Sequence, residues 1–311
     1  MAQATIYGTI DQAYESTKVT LGTATTKTTK IKGTWNGGSA IGFKGSEDIG
    51  NGMKAYFQQE IGLNTDQNGG PTDAKGFENR NSFVGLSGGF GDVKIGKMYN
   101  FAFYNIISND PFGFTGTGGY IHNSGAGGIN RTSNMVAYTV PTIAAGVGIQ
   151  IGKSMGETAS VNGSAKTGDA TSYGLTYAAG ALYAGVTGET VTGATAAAPT
   201  TAKTKHSSTT ITYDLGMVKV GYGAAKTTAG TDFIKAGAFS VTVPLGAVTL
   251  AYTNGDGKVK TGTAAEDKTK YSQLGGMYAL SKRTNAYLHT GKQSATAFTA
   301  NIYAVGVKHD F

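Results

Sequence analysis

The chain has 311 residues, of which only 14% are charged and 49 are glycine, against five prolines and no cysteine. That composition excludes a collagen-like repeat, disulfides and thiolate metal sites, and it deprives long helices of their usual Leu, Glu and Arg surface. The net charge is +7, yet only Arg80, Arg131 and Arg283 are arginine among 26 basic residues, so scattered lysines that draw anions are implied rather than a nucleic-acid reading face.

No stretch reaches the roughly 18 consecutive apolar residues of a membrane-spanning helix, but a spanning barrel remains open. Period-two alternation begins at once, with Ile6, Gly8 and Ile10 on one face and Tyr7, Thr9 and Asp11 on the other. A Thr- and Lys-rich stretch from 16 to about 33 reads as a connection. Beyond it Trp35, Ile41 and Phe43 share one parity, and past a short turn at 45–52 the residues Met53, Ala55, Phe57 and Ile61 alternate with Lys54, Tyr56, Gln58 and Glu60. Further short turns are expected at 88–91, 141–145, 179–181, 214–217, 244–247 and 280–283. Long connections are expected over about 63–78, 98–130, 156–169, 191–206, 227–231, 255–269 and 292–297. Strands on both sides of every connection number 16, with both chain ends on one side.

Short turns on one rim and long loops on the other, with even strand number, predict an all-β fold: a transmembrane 16-stranded antiparallel β-barrel, one domain over residues 1–311. Met1 reads as an added initiator and Ala2 as the start of a mature chain whose targeting peptide is already removed. A soluble sandwich needs a charged outside and a Leu- and Ile-filled inside, and the charge is too sparse for it. A wide barrel inverts the pattern. Its lipid side is apolar, its water-filled lumen accepts Lys, Glu, Gln and Tyr, and closure pairs every backbone group. Phe57, Phe90, Tyr99, Tyr138, Tyr252, Tyr278 and Phe311 suit interfacial girdles, or simply reflect β-propensity.

Four stretches are more specific: ATIYGTID at the N-terminus, IGFKGSEDIGNGMKAYFQQE across the first turn, ENRNSFVGLSGGFGDVKIGK across the second, and GVKHDF at the end, with LSKRTNAY a weaker fifth. On these the chain resembles the general diffusion porins of Gram-negative bacteria, in the β-proteobacterial and neisserial branch. The resemblance implies a homotrimer in the outer membrane, contacting lipid and lipopolysaccharide and passing small anions and hydrophilic solutes. It also implies a third long loop folded inward against a basic wall. The stretch 98–130 is the longest connection, and its Phe101, Phe103, Tyr104, Ile106, Ile107, Pro111, Phe112 and Phe114 suit packing into the lumen rather than free solvation.

Carried over residue by residue, two wall arginines of anion-selective relatives match Arg80 and Arg131, and a third falls at Ala40, so this eyelet is expected to be wider or less basic. Arg80 and Arg131 read otherwise as solvated strand starts at the rim. Asp110 is the only acidic residue of the loop and reads equally as an eyelet carboxylate or as a turn former before Pro111. Strand parity puts Lys44, Lys54 and Lys94 on the lumen wall near the tight-turn rim. The terminal Phe311, with Val305 and Val307 on its parity, resembles the signal read by the outer-membrane assembly machinery. The trimer contact is expected on the first and last strands, where Gly8, Ala55 and Gly85 would allow close packing.

No cofactor or metal is expected, because His122, His206, His289 and His309 lack ligand spacing. Gly152, Lys153 and Ser154 mimic a phosphate loop but lack its earlier glycine and following helix. Glu47 and Asp48 in the first turn are assigned no chemistry. The competing readings are an outer-membrane barrel enzyme, a lipase or protease, and a β-rich surface adhesin. The first would need a histidine beside a nucleophile, whereas Thr290 next to His289 points to the opposite face of its strand.

Overall fold

Alternation with this little charge folds as strands, and nearly every segment does so. The computed structural model describes residues 3–33, 38–63, 80–128, 131–156, 168–193 and 203–311. Its strands are β1 (Gln3–Leu21), β2 (Ala24–Lys32), β3 (Ala40–Gly50), β4 (Met53–Gly62), β5 (Ser82–Gly88), β6 (Gly91–Tyr99), β7 (Arg131–Thr139), β8 (Val147–Ser154) and β9 (Asp169–Ala179). They continue with β10 (Leu182–Thr192), β11 (Lys203–Asp214), β12 (Lys219–Ala229), β13 (Asp232–Leu245), β14 (Val248–Lys260), β15 (Asp267–Ala279), β16 (Thr284–Ser294) and β17 (Phe298–Asp310). Between β6 and β7 lie two short helices, α1 (Phe101–Ile107) and α2 (Tyr120–Asn123).

All strands belong to one antiparallel sheet that closes where β1 pairs with β17, from Thr9↔Asp310 to Leu21↔Phe298. The backbone of Phe311 completes the seam, exchanging hydrogen bonds of 3.0 Å in both directions with Gly8. β2 and β3 are two halves of one barrel strand, because both pair with β1, β3 against residues 3–9 and β2 against 13–21. The 17 segments therefore make the expected closed 16-stranded barrel. Some expectations need correction. The stretch 16–33 is no loop but a hairpin of β1 and β2 with its turn at Gly22–Thr23, 227–231 shrinks to a turn at Gly230–Thr231, and the connection expected over 255–269 shrinks to 261–266 between β14 and β15. Thr-rich polar sequence forms strand here because cross-strand pairs such as Thr20 and Thr25, 3.1 Å apart, satisfy each other. Trp35 and most of the connections at 63–78, 156–169 and 191–206 lie outside the described residues, as do Met1 and Ala2.

The parity of the strands sorts side chains as expected. Phe57 and Val305 are exposed on the outer face at 40% and 45%, whereas Asp11 is fully buried and Glu60 nearly so. With lipid outside, this outer belt of Ile6, Phe43, Val84, Ile95, Leu175, Phe239 and Leu274 is the apolar band. The small residues do not all serve as expected. The Gly8 site is covered by the Phe311 ring, and Gly85 is filled by the Tyr56 ring, so neither offers a free outer surface. Tyr99 also leaves the expected girdle. Gly96 at φ 141° and Asn134 at φ 53° break the pleat where the β6–β7 register slips, and beyond that break Tyr99 and Arg131, directly opposite, turn toward the loop.

Candidate pore constriction

The loop from 100 to 130 is held at its root by Asn100. Its Oδ1 accepts from the Phe103 N–H at 3.2 Å, starting α1, and its Nδ2 donates to the Gly128 carbonyl at 2.7 Å, tying the two ends of the loop together. From there the loop crosses the lumen and clasps the wall of β10–β16. Asn105 Nδ2 donates to Ser208 Oγ at 2.8 Å, Asn109 accepts from Ser240 Oγ at 2.7 Å, Lys219 Nζ donates to the Ser108 carbonyl at 2.9 Å, and the Gly118 N–H reaches Gln273 Oε1 at 2.7 Å. Apolar contact adds to this. Ile106, Tyr120, Ile121 and Ala126 pack on Ala225, Ala236, Ala238 and Tyr271, while Phe112 is wholly buried with Ala13, Ala251, Tyr287 and Ala304. Part of the glycine content follows from this docking. A Cβ at Gly275 would stand 2.7 Å from the Phe112 ring, so Phe112 seats only against bare backbone.

With the loop fixed to one side of the barrel, the opening falls on the other. A cavity of about 480 Å³ lies between Phe103, Ile107, Gly113, Phe114, Thr115 and His122 of the loop and Glu60, Arg80, Asn81, Tyr99 and Arg131 of the wall. Arg80 and Arg131, about fifty residues apart in the chain, line it together. Arg80 Nε donates to Glu60 Oε1, and Glu60 Oε2 accepts from the Tyr7 hydroxyl at 3.0 Å, which in turn accepts from Gln58 Nε2 at 2.6 Å. Arg131 donates to the Tyr99 hydroxyl and lies over its ring, 4.0 Å from the centroid. An aromatic ladder carries this arginine to the loop: Tyr99 stacks on Phe103 at 3.3 Å, Phe103 meets Phe114 edge-on at 5.3 Å, and Phe114 stacks on His122 at 4.8 Å.

The other expected residues sit elsewhere. Ala40 is buried, paired with Thr9 and Gly62, and does not line the cavity. Asp110 faces its own turn, its Oδ1 and Oδ2 accepting from the Phe112 and Phe114 N–H groups at 2.8 and 2.9 Å, and burial raises its pKa from 3.8 to about 7 in spite of those bonds. The carboxylate beside the arginines is Glu60 of the wall. Sequence parity put Glu60 in the lumen, but only the fold puts it against Arg80. Lys44, Lys54 and Lys94 meet in a second cavity of about 570 Å³ toward the tight-turn rim, with Asp92 3.7 Å from Lys94 and Lys44 over the Tyr7 ring at 5.1 Å. Phe311 stands at the barrel seam.

Comparison with known proteins agrees with this architecture. Residues 1–297 match the Gram-negative porin family. A major outer membrane protein P.IB of Neisseria meningitidis is 41% identical over 100 residues, a match that covers 32% of this chain and 29% of that relative. Among solved structures, an anion-selective porin from Comamonas acidovorans aligns over 100% of both chains at TM-score 0.82 and 22% identity, and a trimer form of OmpT from Vibrio cholerae aligns over 100% of this chain and 99% of its own at 0.72 and 14%. At those identities the likeness is one of fold. The closed barrel, the inward loop and the match along nearly the whole sequence lead to one conclusion: the chain belongs to the Gram-negative porin family and is a β-barrel of the bacterial outer membrane.

Proposed function

We propose that this barrel is a water-filled channel for passive diffusion of small hydrophilic solutes and ions, with a modest preference for anions set at the cavity between loop and wall. The observation that carries the reading is the charge count of that cavity among the described residues, two guanidiniums against one carboxylate, Glu60. Low-dielectric walls focus the field of such a neck, and screening over about 8 Å at physiological salt does not erase it within so narrow a space. Arginine suits the task because its charge is permanent and its planar head is held by Glu60 and Tyr99. The lysines of the second cavity extend the positive path toward the tight-turn rim. Ala40, where the resemblance places another arginine, keeps the bias modest.

The test is the reversal potential in a salt gradient across a planar bilayer. Replacing Arg80 and Arg131 together by glutamine shifts it toward cation preference with the barrel intact. A well-folded double variant with an unchanged potential would remove these residues from the selectivity mechanism. The assembled state is proposed to be a homotrimer, supported by the trimer form of the similar Vibrio protein. Crosslinking in mild detergent that yields only monomers contradicts it.

A further inference from the structure

The loop that crosses the lumen has two apolar faces, and only one of them is docked. Helical spacing in α1 puts Phe101, Ala102, Asn105 and Ile106 on one side, all buried, and Phe103, Tyr104 and Ile107 on the other. On that second side Phe103 and Ile107 line the cavity beside Arg80 and Arg131, and Tyr104 is 48% exposed. Phe114 lines the same cavity. Polar side chains would serve a plain water-filled neck at these positions, whereas apolar groups facing water cost free energy unless something covers them.

Phe114 is held there against its own backbone preference. Its φ is 65°, in the left-handed region that a bulky side chain rarely adopts, and strain of this kind gathers at functional sites where the surroundings over-determine it. Its N–H donates to Asp110 Oδ2 at 2.9 Å, its ring stacks on His122 at 4.8 Å, and Phe103 meets it edge-on at 5.3 Å. Glycine would take this φ freely, so the ring and not the turn accounts for the residue. Phe103 and Phe114 both back onto the buried cluster of Ile106, Tyr120, Ile121 and Tyr271, which makes the aromatic wall rigid. Opposite it, Glu60 already pairs with Arg80, and Asp110 is spent on its own turn. Two guanidiniums less one carboxylate leave one positive charge among the described arginines and carboxylates of the cavity. Its volume of about 480 Å³ lies within the roughly 300–1,000 Å³ of sites that enclose one small ligand.

We infer that this neck binds aromatic monocarboxylates as they pass, the carboxylate at Arg131 and Arg80 and the ring against Phe103 and Phe114. A guanidinium fork matches a carboxylate, aromatic rings pack offset or edge-on against one another, and the single excess charge matches a single acid group. Chloride or acetate would use the arginines alone, and a neutral arene the rings alone. The inference rests on the reading of this cavity as the conducting neck, and it names the class of solute that lingers there.

The experiment records the full chain in a planar bilayer in potassium chloride while benzoate, acetate, cyclohexanecarboxylate or benzyl alcohol is added. Benzoate reduces the chloride current saturably, with half-block at a concentration about tenfold below that of acetate, cyclohexanecarboxylate is weaker than benzoate, and benzyl alcohol has no effect. Phe114→Gly, which suits the backbone at φ 65°, moves the benzoate half-block toward the acetate value and leaves the reversal potential in a potassium chloride gradient unchanged. Phe114→Asn, which also tolerates that φ, does the same and guards against a loop loosened by glycine. The double variant Arg80→Gln, Arg131→Gln loses the benzoate block. Equal half-block by benzoate and acetate overturns the inference, as does wild-type benzoate block in both Phe114 variants. Block by benzyl alcohol, or cyclohexanecarboxylate as effective as benzoate, overturns it in favour of a general apolar site. The reversal potential of the wild type, read in the same records, separates the two readings: no anion bias defeats the selectivity reading, whereas an anion bias without benzoate block defeats this inference alone.

Discussion

Arg131 and Tyr99 act as one unit: the guanidinium lies 4.0 Å from the Tyr99 ring centre and also donates to its hydroxyl. Phe103 stacks on the same ring at 3.3 Å, so arginine and phenylalanine must occupy opposite faces, and the wall charge is braced by the loop. Such a cation–π contact is worth about 0.5–2 kcal/mol, enough to hold a side chain that would otherwise sweep the opening.

Tyr99→Leu is therefore expected to release Arg131 without unfolding the barrel. Single-channel records should show more current noise and a weaker anion preference at an unchanged mean strand content. Quiet channels with wild-type selectivity would mean that the arginine is held by other contacts.

Glu60→Gln removes the one carboxylate that the described residues bring to the cavity. Anion preference should rise above that of wild type, the reverse of the arginine variants, while loss of the Arg80 bond costs about 1–3 kcal/mol of stability. A reversal potential that moves toward cations in this variant contradicts the charge count.

Phe112 is a wholly buried apolar anchor of the loop, and Phe112→Ala should cost about 3–5 kcal/mol where the loop meets the wall. Since the sheet closes without it, strand content by circular dichroism should persist while the loop becomes protease-sensitive and single-channel conductance changes. Loss of the whole barrel would show that the loop is needed for closure.

Burial raises the Asp110 pKa from 3.8 to about 7, so the folded loop binds its proton more tightly than the unfolded chain. Its contribution to stability is fully present below pH 3.8 and is lost as pH rises toward 7. Hydrogen exchange at the Phe112 and Phe114 amides should then quicken, beyond the intrinsic rate change, between about pH 4 and 7. Asp110→Asn should flatten that excess. The same excess in the asparagine variant would assign it to another group.

Much of the fold was legible because a spanning strand obeys local rules. Period-two alternation separates Phe57 from Gln58 whatever they touch, and the turns at Gly88–Gly91 and Ala179–Ala181 announce themselves by glycine and small residues. Local composition misled where polar strands pair with each other, as in the hairpin of β1 and β2, since threonine is both a strand former and a loop residue. The apolar content of the loop at 98–130 marked it as buried.

What the chain order could not reveal is which residues meet across the lumen. Glu60 and Arg80 are separated by a connection, Arg131 reaches Tyr99 only past the break at Gly96, and Asp110 turned out to cap its own turn. That Lys226, Lys235, Lys258 and Lys268 stand side by side across β12–β15 depends on strand register, which no single strand carries. The physical reason is the same in each case. Side-chain direction along a strand is local geometry, whereas register, closure and loop docking are settled only when the whole barrel minimises unpaired backbone and unburied apolar surface together.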